Sequence, residues 1–225
     1  MSKMNEPSSP LQMSPQATLK IDKSERTRAA ILNSALDFIW THPFRDMTVK
    51  SIMAPVDVGR TAFYQHFRDL HEVMEILLDT LTDEVNAVTG PWFKGIGDPV
   101  VLLSESLHSV VDLCYHRGPI LRAIGDAAPT DKRLEKSWTQ FIGVFNDGIS
   151  TRIEADQGQG LIPTFAARPV AIGLNHLNVY RVIDAFGRRP RSEPEPVQEA
   201  LARIWISTLY GSEWVGKVPS NLVRT

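Results

Sequence analysis

The chain has 225 residues, 43% of them hydrophobic and 22% charged, with a formal net charge of -2. That length and apolar content can fill one large helical domain or a small domain joined to a larger one, and the near-neutral balance excludes a nucleic-acid coat or an acidic tail. The single cysteine, Cys114, excludes an intramolecular disulfide framework and a cysteine-rich metal site. No run approaches the roughly 18 apolar residues of a membrane span, and the first residues lack the apolar core of a secretory signal, so the expected compartment is the cytoplasm, with no membrane partner.

Charge is unevenly distributed. From Lys20 to Arg68 there are eight basic residues against five acidic ones, a net +3, whereas from Asp69 onward fifteen stand against twenty, a net -5. A basic head on an acidic body suits a protein that presents one end to a polyanion.

Residues 1–22 are rich in Ser, Pro, Met and Gln without an apolar period and read as a disordered arm. A first helix is expected from Ser24, with Ala29, Ile31, Leu32, Ala35, Leu36 and Ile39 at the helical period. Thr48 can cap a short second helix bearing Val49 and Ile52, which Pro55 limits, and a tight connection through Asp57 and Gly59 leads into a third, Arg60 to Phe67. Three helices within residues 23–68 form the expected head, and residues 69–225 the expected body.

Asp69, with Glu72 at capping-box spacing, opens a long helix carrying Val73, Ile76, Leu77, Leu81 and Val85 on one face, which should join head to body. Gly90, Pro91, Gly95 and Gly97 form a breaker-rich stretch; Asp98 and Pro99 then start a helix expected to end near Gly118, and Pro119 a further short one. A long helix is expected from Thr130 to Glu154, with Trp138, Phe141, Ile142, Phe145 and Ile149, followed by a loop over 156–168. The last two helices, Pro169 to Phe186 and Pro196 to Tyr210, are each followed by a glycine suited to a left-handed cap, Gly187 and Gly211. No strand signal competes, so the fold class is all-α, with about nine helices.

The segment MTVKSIMAPVDVGRTAFYQHFRDLHEVM, residues 47–74, has the spacing of a helix-turn-helix. Its Thr48-Val49, Ile52, Val58, Arg60 and above all Phe63-Tyr64-x-His66-Phe67 resemble the TetR-family DNA-binding signature over residues 24–78. The resemblance implies a transcriptional regulator, expected to be a repressor, that binds palindromic operator DNA as a homodimer. It makes Arg60 to Phe67 the recognition helix, with Phe63 and Phe67 inward. Arg60, Thr61 and Gln65 are then the candidates for base edges, and Thr48, Lys50, Tyr64 and His66 for phosphates. For Tyr64 a half-buried core phenol, and for His66 a plain surface histidine, remain the alternatives. Asp57, Gly59 and Leu70 depart from the family's glycine, serine and lysine; Arg68 is the candidate replacement for that lysine as a phosphate anchor.

In the body, GLNHLNVYR (173–181) and RIWISTLYG (203–211) resemble the ethionamide-resistance-repressor branch of the same family. This implies a small apolar effector, with Asn175 and Asn178 facing its carbonyl and Trp138, Phe141, Phe145 and Trp205 along an apolar channel. Leu103 and Val110 stand where that branch has larger aromatics, and hydrogen bonding between helices at a dimer interface is the alternative for the two amides. The last two helices, with Leu174, Leu177, Ile183, Leu201, Ile204 and Leu209, are the expected homodimer contact.

An enzyme is not expected. The six histidines show no metal-ligand spacing, Cys114 beside Tyr115 and His116 reads as a buried inert thiol, no phosphate-binding glycine loop exists, and no cofactor is called for. A scaffold with a vestigial DNA module is opposed by Arg60, Thr61, Tyr64 and His66 standing together.

Overall fold

The structure is a computed structural model, which describes residues 15–56 and 58–211, with side chains from residue 23 onward. Of the expected arm over residues 1–22, residues 1–14 lie outside the described residues, as does the turn residue Asp57, whereas residues 15–22 are helical and so not the disordered arm expected there.

Eight α-helices and one 3₁₀ turn make up the described chain, without a strand. The head consists of α1 (Pro15–Thr41), the 3₁₀ turn Phe44–Asp46, α2 (Val49–Met53) and α3 (Arg60–His66); the body consists of α4 (Leu70–Lys94), α5 (Pro99–Ala127), α6 (Lys132–Gly158), α7 (Ala167–Phe186) and α8 (Pro194–Leu209). Helix α5 lies at the centre, packed against α4, α6, α7 and α8 and touching α1, so head and body share one continuous apolar core.

Local capping sets several of these boundaries. Thr48 accepts from the Ser51 backbone N–H at 3.0 Å and Ser51 Oγ accepts from the Thr48 N–H at 3.0 Å, a reciprocal box that starts α2. Asp69 Oδ1 accepts the Glu72 N–H at 2.8 Å; Glu72, however, turns its carboxylate to the Arg68 backbone N–H at 2.6 Å and does not close the box. Asp98 caps α5 through the N–H groups of Val100 and Val101 at 2.9 and 3.0 Å. Gly95 ends α4 at φ 69°, a left-handed conformation that glycine adopts without steric cost.

Elsewhere packing overrides the local signals. Helix α1 begins at Pro15, ahead of the expected Ser24. Helix α4 continues through Gly90 and Pro91, because Trp92, 2% exposed, is held by the core beyond them. The two helices expected on either side of Gly118 and Pro119 are one, which brings the count to eight. An internal proline costs about 3 kcal/mol; here it is tolerated because both residues are buried against neighbouring helices. Gly118 is where α5 meets the end of α7, since a Cβ would lie 2.6 Å from the Phe186 carbonyl oxygen. Gly187 is not left-handed: its φ is -72° and it permits close approach to Arg122, whose Cβ lies 3.1 Å from where a glycine Cβ would stand. Gly211 does take a positive φ, 99°.

Candidate DNA-facing head and ligand cavity

In the head, α1 is fastened to α2 by Ser34, whose hydroxyl donates to the Ile52 carbonyl at 2.6 Å in the buried interior. Phe63 is fully buried and Phe67 is 2% exposed, their rings 5.6 Å apart. With these two turned inward, helical geometry puts Thr61 and Gln65 on the opposite side and Tyr64 on the flank, while Arg60 stands in the first turn, and all four are exposed. Tyr64 is 54% exposed, its ring nearly perpendicular to that of Phe63 with centroids 5.2 Å apart. The Arg60 guanidinium lies 5.9 Å from the centre of the Tyr64 ring and donates to its hydroxyl at 3.4 Å. Thr48, which caps α2, and Lys50 within it are exposed, and His66, the last residue of α3, is half-buried. Arg68 is exposed, but its Nε donates to Glu72 at 3.2 Å, so a carboxylate sits beside the proposed phosphate anchor. Hydrogen bonding from the Arg68 backbone N–H, against a smaller burial effect, holds the Glu72 carboxyl below its ordinary range.

The head is tied to α6 through the first turns of α4. Arg133 donates to Glu75 at 2.6 and 2.5 Å and to Asp69 at 2.8 Å, and His71 Nε2 lies 2.6 Å from Asp131 Oδ2.

In the body, a cavity of about 70 Å³ lies between α4, α5, α6, α7 and α8. Five of the six residues expected along an apolar channel reach it: Phe141, Phe145, Asn175, Asn178 and Trp205. Trp138 does not; its indole lies over Gly125 and stacks on Phe141 with centroids 5.9 Å apart. Both amides are already engaged within the chain. Asn175 donates to the Ile142 carbonyl at 3.2 Å and to Asn146 Oδ1 at 2.9 Å, while Asn178 Oδ1 accepts the Trp205 indole N–H at 2.9 Å. They therefore join α7 to α6 and to α8.

Sequence reasoning missed much of the wall. Trp92 and Phe93 on α4 line the cavity, as do Ser106 and Cys114 on α5, alongside Leu103 and Val110. The signal for the two aromatics was present, since both follow Val85 and Thr89 along α4, but Pro91 suggested that the helix had ended. Cys114 is 2% exposed and burial pushes its thiol up to about 12, so it is protonated and unreactive at neutral pH. Behind Trp92, its indole N–H donates to the Tyr210 hydroxyl at 3.2 Å, Tyr210 donates to Asp156 at 2.6 Å, and Arg152 pairs with Asp156 at 2.6 Å. Burial, reinforced by the hydrogen bond to Asp156, raises the Tyr210 phenol above its ordinary range. No helix among the described residues is long and apolar enough to cross a membrane.

Comparison with known proteins agrees with this architecture. Residues 103–211 match the model of the C-terminal domain of the transcriptional regulator EthR. The HTH-type transcriptional regulator EthR of Mycobacterium tuberculosis strain H37Rv is 23% identical over 186 residues, covering 81% of this chain and 86% of the relative. A putative TetR-family transcriptional regulator from Syntrophomonas wolfei superposes with a TM-score of 0.69 at 15% identity, over 82% of this chain and 95% of the other. AibR, solved in complex with isovaleryl coenzyme A and operator DNA, superposes with a TM-score of 0.61 at 13% identity, over 82% of this chain and 98% of the other. The head described above, followed by a C-terminal domain that matches the EthR model, gives this chain the architecture of the TetR-type transcriptional regulators it resembles.

Proposed function

We propose that the protein is a cytoplasmic, homodimeric repressor that binds palindromic operator DNA through α3 and is released when a small apolar ligand enters the body. The observation that carries the reading is the two-sided character of α3: Phe63 is buried while Arg60, Thr61, Tyr64 and Gln65 stand exposed. Guanidinium, hydroxyl and amide groups read donor and acceptor patterns in the major groove, and Thr48, Lys50, Tyr64, His66 and Arg68 would hold phosphates around them. In a dimer the two recognition helices would enter successive major grooves about 34 to 36 Å apart.

Dimerisation is assigned to α7 and α8, which leave Tyr180 75% and Ile204 39% exposed. For the ligand, the cavity is lined almost wholly by apolar side chains, with Asn178 as the polar contact for a carbonyl. Sites for drug-sized ligands are about 300 to 1,000 Å³, well above the roughly 70 Å³ here, so a ligand of that size must displace wall side chains. That displacement, carried by α4 to the head, would supply a coupling of about 1 to 3 kcal/mol.

Selection of genomic fragments by the purified protein, followed by a salt series on the best fragment, tests this. A palindromic site whose affinity falls steeply with salt supports the reading. Weak, sequence-blind binding refutes operator recognition. Arg60→Ala should weaken binding most at particular base pairs, whereas Tyr64→Phe should weaken all sequences alike.

A further inference from the structure

Arg122 lies in the last third of α5 and is 6% exposed. A guanidinium removed that far from water needs partners for its donors. Its Nε donates to the Gly187 carbonyl at 2.8 Å, immediately past the end of α7. Its Nη2 donates to the Ile39 carbonyl in the last turn of α1 and lies 3.5 Å from the His42 carbonyl, while Nη1 stands 3.7 Å from Asp126. The carbonyls at a helix C-terminus lack intrahelical donors and carry the negative end of the helix dipole. One buried cation therefore closes two helix ends, one belonging to the head and one to the body.

The connection from α7 to α8 grips the same end of α1. The guanidinium groups of Arg189 and Arg191 lie 4.9 and 5.3 Å from the Trp40 ring, next to Ile39 in the chain, and Arg191 also donates to the Tyr115 carbonyl of α5 at 2.7 Å. The other end of this path is the ligand cavity, because Asn178, Val179 and Val182 of α7 form part of its wall, four to eight residues before Phe186.

We propose that Arg122 is a positioning residue that sets the head against the body, so that a displacement of α7 at the cavity reaches α1 through the shared guanidinium. The planar fork of arginine suits this, since two of its nitrogens serve two separated carbonyls at once. A lysine has one nitrogen at the end of its stem and can close one helix end but not bridge two. This path is additional to the α4 route and rests on the preceding reading only for its biological purpose.

The test is a double-mutant comparison read by amide hydrogen exchange on the full chain, without DNA or ligand. Val110→Trp fills the cavity from α5 and pushes on its walls. In the wild-type background it should change exchange several-fold at the end of α7 and also in the last turn of α1. Combined with Arg122→Met, it should still change α7, while the response in the last turn of α1 should fall several-fold, to what the α4 route transmits. Arg122→Lys, which retains the charge, keeps the comparison available if the methionine variant fails to fold, and it should show the same loss of transmission. A response in the last turn of α1 that persists undiminished in both Arg122 variants overturns the proposal, and so does no response of α1 in the wild-type background. Because no DNA is present, a protein that passes this test but binds no operator would sink only the preceding reading.

Discussion

The Trp205 indole N–H donates to Asn178 Oδ1 at 2.9 Å, joining α8 to α7 at the wall of the cavity. Trp205 is 2% exposed, so its N–H has no easy access to water once that acceptor is removed. Asn178→Leu is expected to lower the unfolding free energy by about 1 to 3 kcal/mol, measured as a reduced urea midpoint with unchanged slope. A change within the roughly 0.5 kcal/mol typical of surface substitutions would mean that the indole finds another partner.

The contact between His71 and Asp131 makes stability sensitive to acid. Burial raises the Asp131 carboxyl, but hydrogen bonds from His71 and from the Leu134 and Arg133 backbone N–H groups outweigh it and hold the group below its ordinary range. Asp69 is depressed in the same way, with burial outweighed by the Glu72 N–H and Arg133. A folded pKa below the unfolded one contributes stability that is present above the unfolded value, about 3.9 for Asp, and is lost as pH falls through the folded value. Urea midpoints of the wild type should therefore drop as pH is lowered below about 4. The profile of Asp131→Asn should be flatter in that window; equal slopes would remove Asp131 from the account.

Cys114 should be inert in the folded protein. With its thiol near 12 and only 2% exposure, it should not react with an aromatic disulfide reagent at pH 8 under native conditions, and should give one equivalent after denaturation. Rapid native modification would mean that the helices around the cavity open readily, since reaction would then report the open state.

At Gly118 the close approach of α5 to α7 leaves no room for a methyl group. The nearest atom to a Cβ there is the Phe186 backbone oxygen at 2.6 Å, which cannot rotate away as a side chain could. Gly118→Ala should cost about 1 to 3 kcal/mol from overpacking, seen as a lower thermal midpoint. An unchanged midpoint would show that α7 can shift without loss.

Thr48 combines a cap with a proposed phosphate contact, and two substitutions separate the roles. Thr48→Ala should cost about 1 kcal/mol of stability through loss of the cap. Thr48→Asp should keep the cap while placing a negative charge on the face assigned to DNA, so its stability should be near wild type and its DNA affinity clearly lower. Equal DNA affinity for Thr48→Asp and wild type would remove Thr48 from the interface.

What the sequence by itself determined was local. The Thr48 cap, the Asp69 and Asp98 caps and the spacing of Phe63 and Phe67 are read from neighbours a few residues apart, so the head and its outward face were legible together with the all-α class. The tertiary structure decided where local signals lost. Pro91 and Pro119 stay inside helices because burial of Trp92 and of the Gly118 contact outweighs one missing hydrogen bond each. It also decided which aromatics face the cavity, excluding Trp138 and admitting Trp92 and Phe93. The bonds of Arg122 to Ile39 and Gly187 span 83 and 65 positions, and no period or spacing within one helix encodes them. Caps and periodicity are set within a turn or two, whereas a buried guanidinium finds its partners only once α1, α5 and α7 have packed.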